Sequence, residues 1–206
     1  MKLEGEYIFD GPRDQVWAIV RDPEVLAKAL PGAQELEQIG ENEYAGKMYI
    51  RIGPVSGVFS GKLIVSDEVP PESYTLSVEG RGAPGFGKGV GHVHLTELED
   101  GRTLMRYEGE MQVGGRLAGV GQRMIDSASK SMIRQGLDSL NSALQARLTG
   151  QEAEYTAPSE TEFAVAVAKD MAGEMFSTPQ AMGAFVVLAA ALAFLLGYLL
   201  GRRCGE

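Results

Sequence analysis

The sequence predicts an α+β protein in which an antiparallel sheet is covered by one long helix, followed by a separate hydrophobic membrane helix. Three observations predict it. Six consecutive segments between residues 34 and 113 alternate polar and apolar side chains at period two. One amphipathic stretch, from Gly119 or Val120 to Leu148, keeps helical spacing throughout. Residues 181–200 then carry no charge at all.

Taken in order, Met1 to Phe9 alternates as a strand does. Pro12 to Arg21 holds Val16, Trp17, Ile19 and Val20 at helical spacing, and Asp22-Pro23 opens a second short helix that ends at Pro31-Gly32. Strands are expected over Gln34–Ile39, Glu43–Ile52, Gly57–Val69, Tyr74–Arg81, Lys88–Glu99 and Thr103–Val113. Gly53-Pro54, Pro70-Pro71 and Asp100-Gly101 punctuate them. A meander of that length must bury its apolar face, and only the last helix is large enough to cover it.

Composition removes several function classes. Nineteen Lys and Arg stand against 28 Asp and Glu, a net charge of −9 without a dense basic stripe, so nucleic acid is not an expected partner. One cysteine, Cys204, excludes a Cys-rich zinc site and is read as a free thiol. Two histidines, His92 and His94, share one face of a strand without a third ligand nearby in sequence. The N-terminus lacks the basic-then-apolar run of a secretion signal, which places the folded part in the cytoplasm.

Residues 1–150 form the expected folded domain, with 16 basic and 21 acidic side chains. Residues 151–180 hold one base and six acids and read as an acidic linker. Within it, Ser159-Glu160-Thr161-Glu162 fits a capping box, and Phe163, Val167, Met171 and Met175 recur every four residues. Either an interfacial amphipathic helix or an Ala-rich, transiently helical stretch satisfies that pattern. A helix over 181–201 rises about 30 Å, the thickness of a bilayer's hydrocarbon core. Phe185, Val186, Leu188, Leu192, Phe194, Leu195, Tyr198 and Leu199 are its expected membrane-contacting residues. A buried or dimerisation helix is the competing reading, but a core helix keeps a polar stripe and this one has none. Arg202 and Arg203, in the short tail 202–206, favour a cytoplasmic C-terminus by the positive-inside tendency. With a cytoplasmic domain and a single crossing that is inconsistent. Either two arginines are too weak a signal, or the helix inserts without crossing.

More specific pieces are Gly11-Pro12-Arg13-Asp14-Gln15-Val16-Trp17, Asp22-Pro23, Leu30-Pro31-Gly32-Ala33, Ile52-Gly53-Pro54-Val55, Phe59-Ser60-Gly61 and Gln112-Val113-Gly114-Gly115-Arg116-Leu117-Ala118 with Gly121. With these, residues 1–148 resemble the CoxG family of carbon monoxide dehydrogenase proteins, within the START-like (SRPBCC) superfamily. Family members often have Cys where this chain has Ala33. The resemblance implies a helix-grip fold, with a curved sheet wrapped around the last helix and a ligand cavity between them. It also implies a non-enzymatic accessory protein of aerobic molybdenum-containing carbon monoxide dehydrogenase or a related hydroxylase. Such a protein attaches the enzyme to the cytoplasmic membrane and carries respiratory quinone, menaquinone or ubiquinone.

If that fold holds, alternation puts Met48, Ile50, Phe59, Leu63, Leu76, Val78, Val93, Leu95, Met105, Tyr107 and Met111 on the inner sheet face. The facing helix presents Ile125, Ala128, Met132, Ile133, Gly136, Leu137 and Leu140. Thioethers and aromatic faces suit a lipophilic ring and tail, so these residues, except Met105, Ile133, Leu137 and Leu140 and with Phe86 and Leu117 added, are the candidate ligand contacts; a plain packed core is the competing reading. Gly136 costs roughly 1 kcal/mol relative to Ala in a helix interior and calls for a packing reason. Gly80 to Gly89 lacks the Lys-Ser or Lys-Thr of a phosphate loop and is read as a flexible hairpin with Phe86 at its tip, gating the cavity. Arg116, Arg123, Lys130 and Arg134 fall on one helix face, with Asp126 and Lys130 as an i, i+4 pair. That face is either solvated or a docking stripe for an acidic partner or anionic lipid. Two further functions stay open: an enzyme using His92, His94, Glu108 and Tyr107, and an adaptor whose cavity is collapsed.

Overall fold

A computed structural model describes residues 1–150. The predicted linker, amphipathic helix, hydrophobic helix 181–201 with its eight membrane-contacting residues, and tail lie outside the described residues. Among the described residues no helix is long and apolar enough to cross a membrane.

The elements run β1 (Lys2–Phe9), α1 (Arg13–Val20), α2 (Pro23–Ala29), β2 (Ala33–Gln38), β3 (Glu43–Ile52), β4 (Val55–Val69), β5 (Ser73–Gly82), β6 (Gly85–Glu97), β7 (Thr103–Gly115) and α3 (Gln122–Thr149), with one 3₁₀ turn at Ala118–Val120. This is the α+β order read from the periodicity, and strand ends differ from it by a few residues. The largest shift is at β6, which begins at Gly85 and so absorbs the expected hairpin. The turn is only Ala83-Pro84, between β5 and β6.

All seven strands pair antiparallel in the order β1-β7-β6-β5-β4-β3-β2, so the first strand closes onto the last. Alternation along the strands gives one solvated face and one face turned toward α3. Glycines bring neighbouring strands into close approach. A Cβ at Gly61 would stand 2.2 Å from the Glu79 carbonyl oxygen, and one at Gly82 would stand 2.3 Å from that of Val58. Only residues without side chains allow that approach of neighbouring backbones.

The long helix ends at Gly150, which adopts the left-handed conformation at φ 66° that glycine accepts without strain. Its C-terminal half packs on α1 and α2, where Phe9, Val16, Ile19, Leu95 and Leu144 are fully buried. Asp22 ties these helices together. Its carboxylate accepts from the amides of Glu24 (3.1 Å) and Val25 (3.4 Å), capping α2, and from Arg147 Nη2 of α3 at 2.7 Å. Partial burial alone would raise this carboxyl, but those hydrogen bonds outweigh it and hold the group below its ordinary range.

Candidate functional site

Between the inner sheet face and α3 lies an apolar cavity of about 380 Å³. Its origin is visible rung by rung. Tyr74, Val93, Tyr107 and Gly5 stand side by side across β5, β6, β7 and β1, and the next inward rung is Leu76, Gly91, Gly109 and Leu3. Beyond it come Val78, Gly89 and Met111. Two central positions of the middle rung therefore have no side chain. A Cβ at Gly91 would meet only the Glu108 carbonyl oxygen, at 3.6 Å, so the space above it is open. From the other side α3 contributes Met132, Ile133, Gly136, Leu137 and Leu140. Packing does not require Gly136: an added Cβ would lie at ordinary contact distance, 3.9 Å, from both Ala29 oxygen and Pro31 Cδ.

Helix α2 and its flanks close one side with Val20, Leu26 and Leu30, and β2 adds Leu36. Arg21, Tyr44 and Tyr74 also line the space. Arg21 Nη2 donates to Asn42 Oδ1 at 2.7 Å and to Glu68 Oε1 at 3.0 Å, while its Nη1 is buried without a partner. Trp17 packs edge-on against Tyr74, with ring centroids 5.6 Å apart. Burial pushes the Tyr74 phenol well above its ordinary range, with Arg21 pulling the other way, so the hydroxyl stays protonated. Burial also raises Tyr107. Val78, 46% exposed, marks an open end.

The candidate contacts divide into two groups. Leu63, Leu76, Val78, Val93, Tyr107, Met111, Met132 and Gly136 line the cavity. The others do not. Phe59, Leu117 and Ala128 are buried in a second apolar cluster with Ile52, and Ile50 packs against it. Met48 is opposite Phe59 on β3, and Leu95 is fully buried in the main core. Ile125 is buried on α3 away from the cavity. Phe59, Leu117, Ala128 and Ile50 fill the space under the first turns of α3, which periodicity alone treats as continuous with the hollow, whereas Leu95 packs in the main core with Phe9 and Leu144. Phe86 is no hairpin tip: it lies within β6 opposite Gly114, where a Cβ would strike its ring, and is 42% exposed.

Sequence reasoning missed Arg21, Tyr44, Tyr74 and the inward glycines of β6. A signal for the glycines existed, since Gly85, Gly87, Gly89 and Gly91 recur at period two. On a strand that pattern strips one face of side chains, whereas a count of glycines alone suggests a loop.

Of the basic stripe, Arg123, Lys130 and Arg134 are exposed on α3, but Arg116 precedes the helix and cannot share its face. No Asp126–Lys130 ion pair forms, and Asp126 Oδ1 is buried without a hydrogen bond. His92, His94 and Glu108 lie on the outer face, where His92 Nδ1 is 3.0 Å from Thr75 Oγ1 and His92 stands opposite Glu108. Tyr107 is turned to the inner face, so the four candidate acid–base groups do not converge. Around these histidines the outer face has a wider depression of about 900 Å³ flanked by Glu4, Glu6, Asp67 and Arg106, open to water rather than enclosed. Among the described residues no group of three or more His, Cys, Asp or Glu has metal-binding geometry.

The family model for the carbon monoxide dehydrogenase G-subunit (CoxG) matches residues 5–145, which contain every element from β1 through most of α3. The chain belongs to the CoxG family. It is thereby an accessory protein of carbon monoxide dehydrogenase, in a family whose members are generally non-catalytic. A conserved protein from Geobacillus kaustophilus is 32% identical to this CoxG chain, with a TM-score of 0.68 over 70% of this chain and 95% of that one. A START superfamily protein from Mycobacterium smegmatis is 13% identical, with a TM-score of 0.55 over 71% and 98% of the two chains. The Zhui aromatase/cyclase from Streptomyces sp. R1128 is also 13% identical, with a TM-score of 0.56 over 74% and 99%. At such identities the likeness shows the helix-grip fold alone. No curated protein sequence matches the chain.

Proposed function

We propose that this CoxG protein is a membrane-tethered carrier that holds a respiratory quinone, menaquinone or ubiquinone, in its apolar cavity. In that role it links aerobic molybdenum-containing carbon monoxide dehydrogenase, or a related hydroxylase, to the cytoplasmic face of the membrane. The observation that carries the reading is the cavity, about 380 Å³, walled by aliphatic, thioether and tyrosyl side chains between α3 and the sheet. Ligand pockets commonly occupy roughly 300–1,000 Å³. The hollow suits a quinone ring and the first isoprene units, the rest of a long tail leaving at the Val78 end.

Binding then needs no reactive group. Each Å² of apolar ligand surface removed from water contributes about 25 cal/mol. The uncharged segment 181–200 keeps the cavity beside the lipid from which so insoluble a ligand must come. An enzymatic role is less well supported, because the available acid–base groups are divided between opposite faces of the sheet. Extraction of the purified full chain with organic solvent, followed by mass spectrometry, is expected to release a quinone. If no quinone is present and none is taken up from quinone-loaded vesicles, the carrier role is wrong.

A further inference from the structure

The glycines of the inner sheet face do not all belong to the cavity. Tyr44, Leu63, Val78, Gly89 and Met111 form one rung that lines the hollow. In the next rung outward, Gly46, Gly61, Gly80 and Gly87 stand side by side across β3, β4, β5 and β6. Leu36 of β2 and Val113 of β7 end this rung. A strip three strand spacings long, about 14 Å, is thus left without side chain or charge. Leu63 and Val78 border it on the cavity side, and Met48 and Phe59 on the other.

The sheet explains two of the four glycines. A Cβ at Gly61 would stand 2.2 Å from the Glu79 oxygen, and one at Gly46 would stand 2.6 Å from the Glu35 oxygen, so backbone approach demands glycine at both. Gly80 and Gly87 have no such reason. The nearest atom to an added Cβ would be Ser60 oxygen at 3.8 Å in one case and Gln112 oxygen at 4.0 Å in the other, and neither backbone is left-handed. Strand interiors favour Val over Gly, so a sheet that needed only to close would carry side chains at both positions. Among the ordinary causes of glycine in a strand, close approach by another molecule is the one left. Both glycines are half-buried, and Val78 beside them is 46% exposed, so the strip is open where it leaves the cavity.

We propose that this strip is a slot for the hydrocarbon tail of the lipophile whose head occupies the cavity, and that Gly80 and Gly87 set the length of tail the protein accepts. The proposal rests on the carrier reading and specifies what selects the ligand. Continuity decides the occupant. The slot begins at the cavity wall, has no hydrogen-bonding side chain along its floor, and presents backbone already paired within the sheet. That surface suits an alkyl or isoprenoid chain, whereas a polar chain would lose its water without finding partners.

Trp17 is the only tryptophan and packs against Tyr74 of the cavity wall, so quenching of its fluorescence reports occupancy. The full chain in detergent is titrated with ubiquinone-1, ubiquinone-2 and ubiquinone-4, which share one head and differ in the number of isoprene units. Gly80→Val and Gly87→Val are compared with the unaltered chain ligand by ligand, which cancels partition into the detergent. Each is expected to weaken ubiquinone-4 about tenfold or more and ubiquinone-1 less than about twofold, because only the longer tail loses buried apolar surface. Without ligand, both variants should melt no lower than the unaltered chain.

Gly91→Val, inside the cavity, should weaken all three quinones alike and so separates the head site from the slot. If it does so while Gly80→Val and Gly87→Val bind ubiquinone-4 normally, the slot is refuted and the carrier reading survives. If the unaltered chain binds none of the quinones, both fail. Equal losses of ubiquinone-1 and ubiquinone-4 in the Gly80 and Gly87 variants mean that the strip belongs to the head site. Lower melting without ligand means that the sheet itself needs these glycines, and either result overturns the slot.

Discussion

The same helix covers two unlike regions. Under its first turns Ile52, Phe59, Leu117 and Ala128 pack into a closed apolar cluster, with Ile50 and Met124 filling around them. Under Met132 to Leu140 the sheet offers Gly89, Gly91 and Gly109, and a cavity remains. Helix periodicity and strand alternation are alike in both halves. The difference is side-chain volume on the sheet: the closed half is filled by phenyl and branched aliphatic groups, whereas three central positions of the hollow half are glycines. A filled half holds the helix at a fixed height, and that height leaves the hollow half open.

Truncation gives the largest expected contrast. Phe59→Ala removes a well-packed ring and is expected to cost about 3–5 kcal/mol in urea denaturation. Leu76→Ala, beside an existing void, should cost only about 1–2 kcal/mol because less close packing is lost. Equal costs would mean that the two halves are packed alike. Filling is the converse. Gly91→Val should lower quinone uptake at least about tenfold while changing stability by no more than about 1 kcal/mol, since strand interiors favour Val over Gly. A large loss of stability would show that the space above Gly91 is not empty.

Gly136→Ala lies at the border of the hollow. Helix propensity alone favours it by about 0.5–1 kcal/mol, and contacts near 3.9 Å leave room for the methyl group, so the melting temperature should rise.

The Asp22 junction fixes the far end of α3, and its contribution depends on pH in a definite direction. Its carboxyl is held below the ordinary value in the folded chain. Its stabilisation is therefore complete above the unfolded pKa, near about 4, and is lost as pH falls through the lower folded value. Asp22→Asn should cost about 1 kcal/mol at pH 6 and reduce the loss of stability on acidification, as urea midpoints at pH 6 and pH 3 will show. On the outer face, the exposed Arg106–Glu6 pair at 2.7 Å should contribute least, within about 0.5 kcal/mol on Arg106→Ala.

Much of this was legible in the residues. Alternation placed Leu63, Leu76, Val93 and Met111 on the inner face, and helical spacing placed Met132 and Gly136 opposite them, because period alone decides which way a side chain points. The same rule, applied to Tyr44 and Tyr74, puts them on that face too, in strands already predicted. Parity also turned Tyr107 away from His92, His94 and Glu108, which divides the acid–base groups that an alternative enzymatic reading would need.

What a one-dimensional pattern lacks is height. Whether Phe59 reaches α3, whether Gly91 and Gly109 stand side by side, and whether Arg21 meets Glu68 depend on cross-strand register and on how far the helix rides above the sheet. Residues distant in sequence set those quantities together. The sequence by itself determined the element order, the facing of each side chain, the acidic surface charge and the family resemblance, all local or additive properties. Only the tertiary structure decided which half of the covered face is solid and which half is hollow, because each is a property of volumes and contacts assembled from several strands at once.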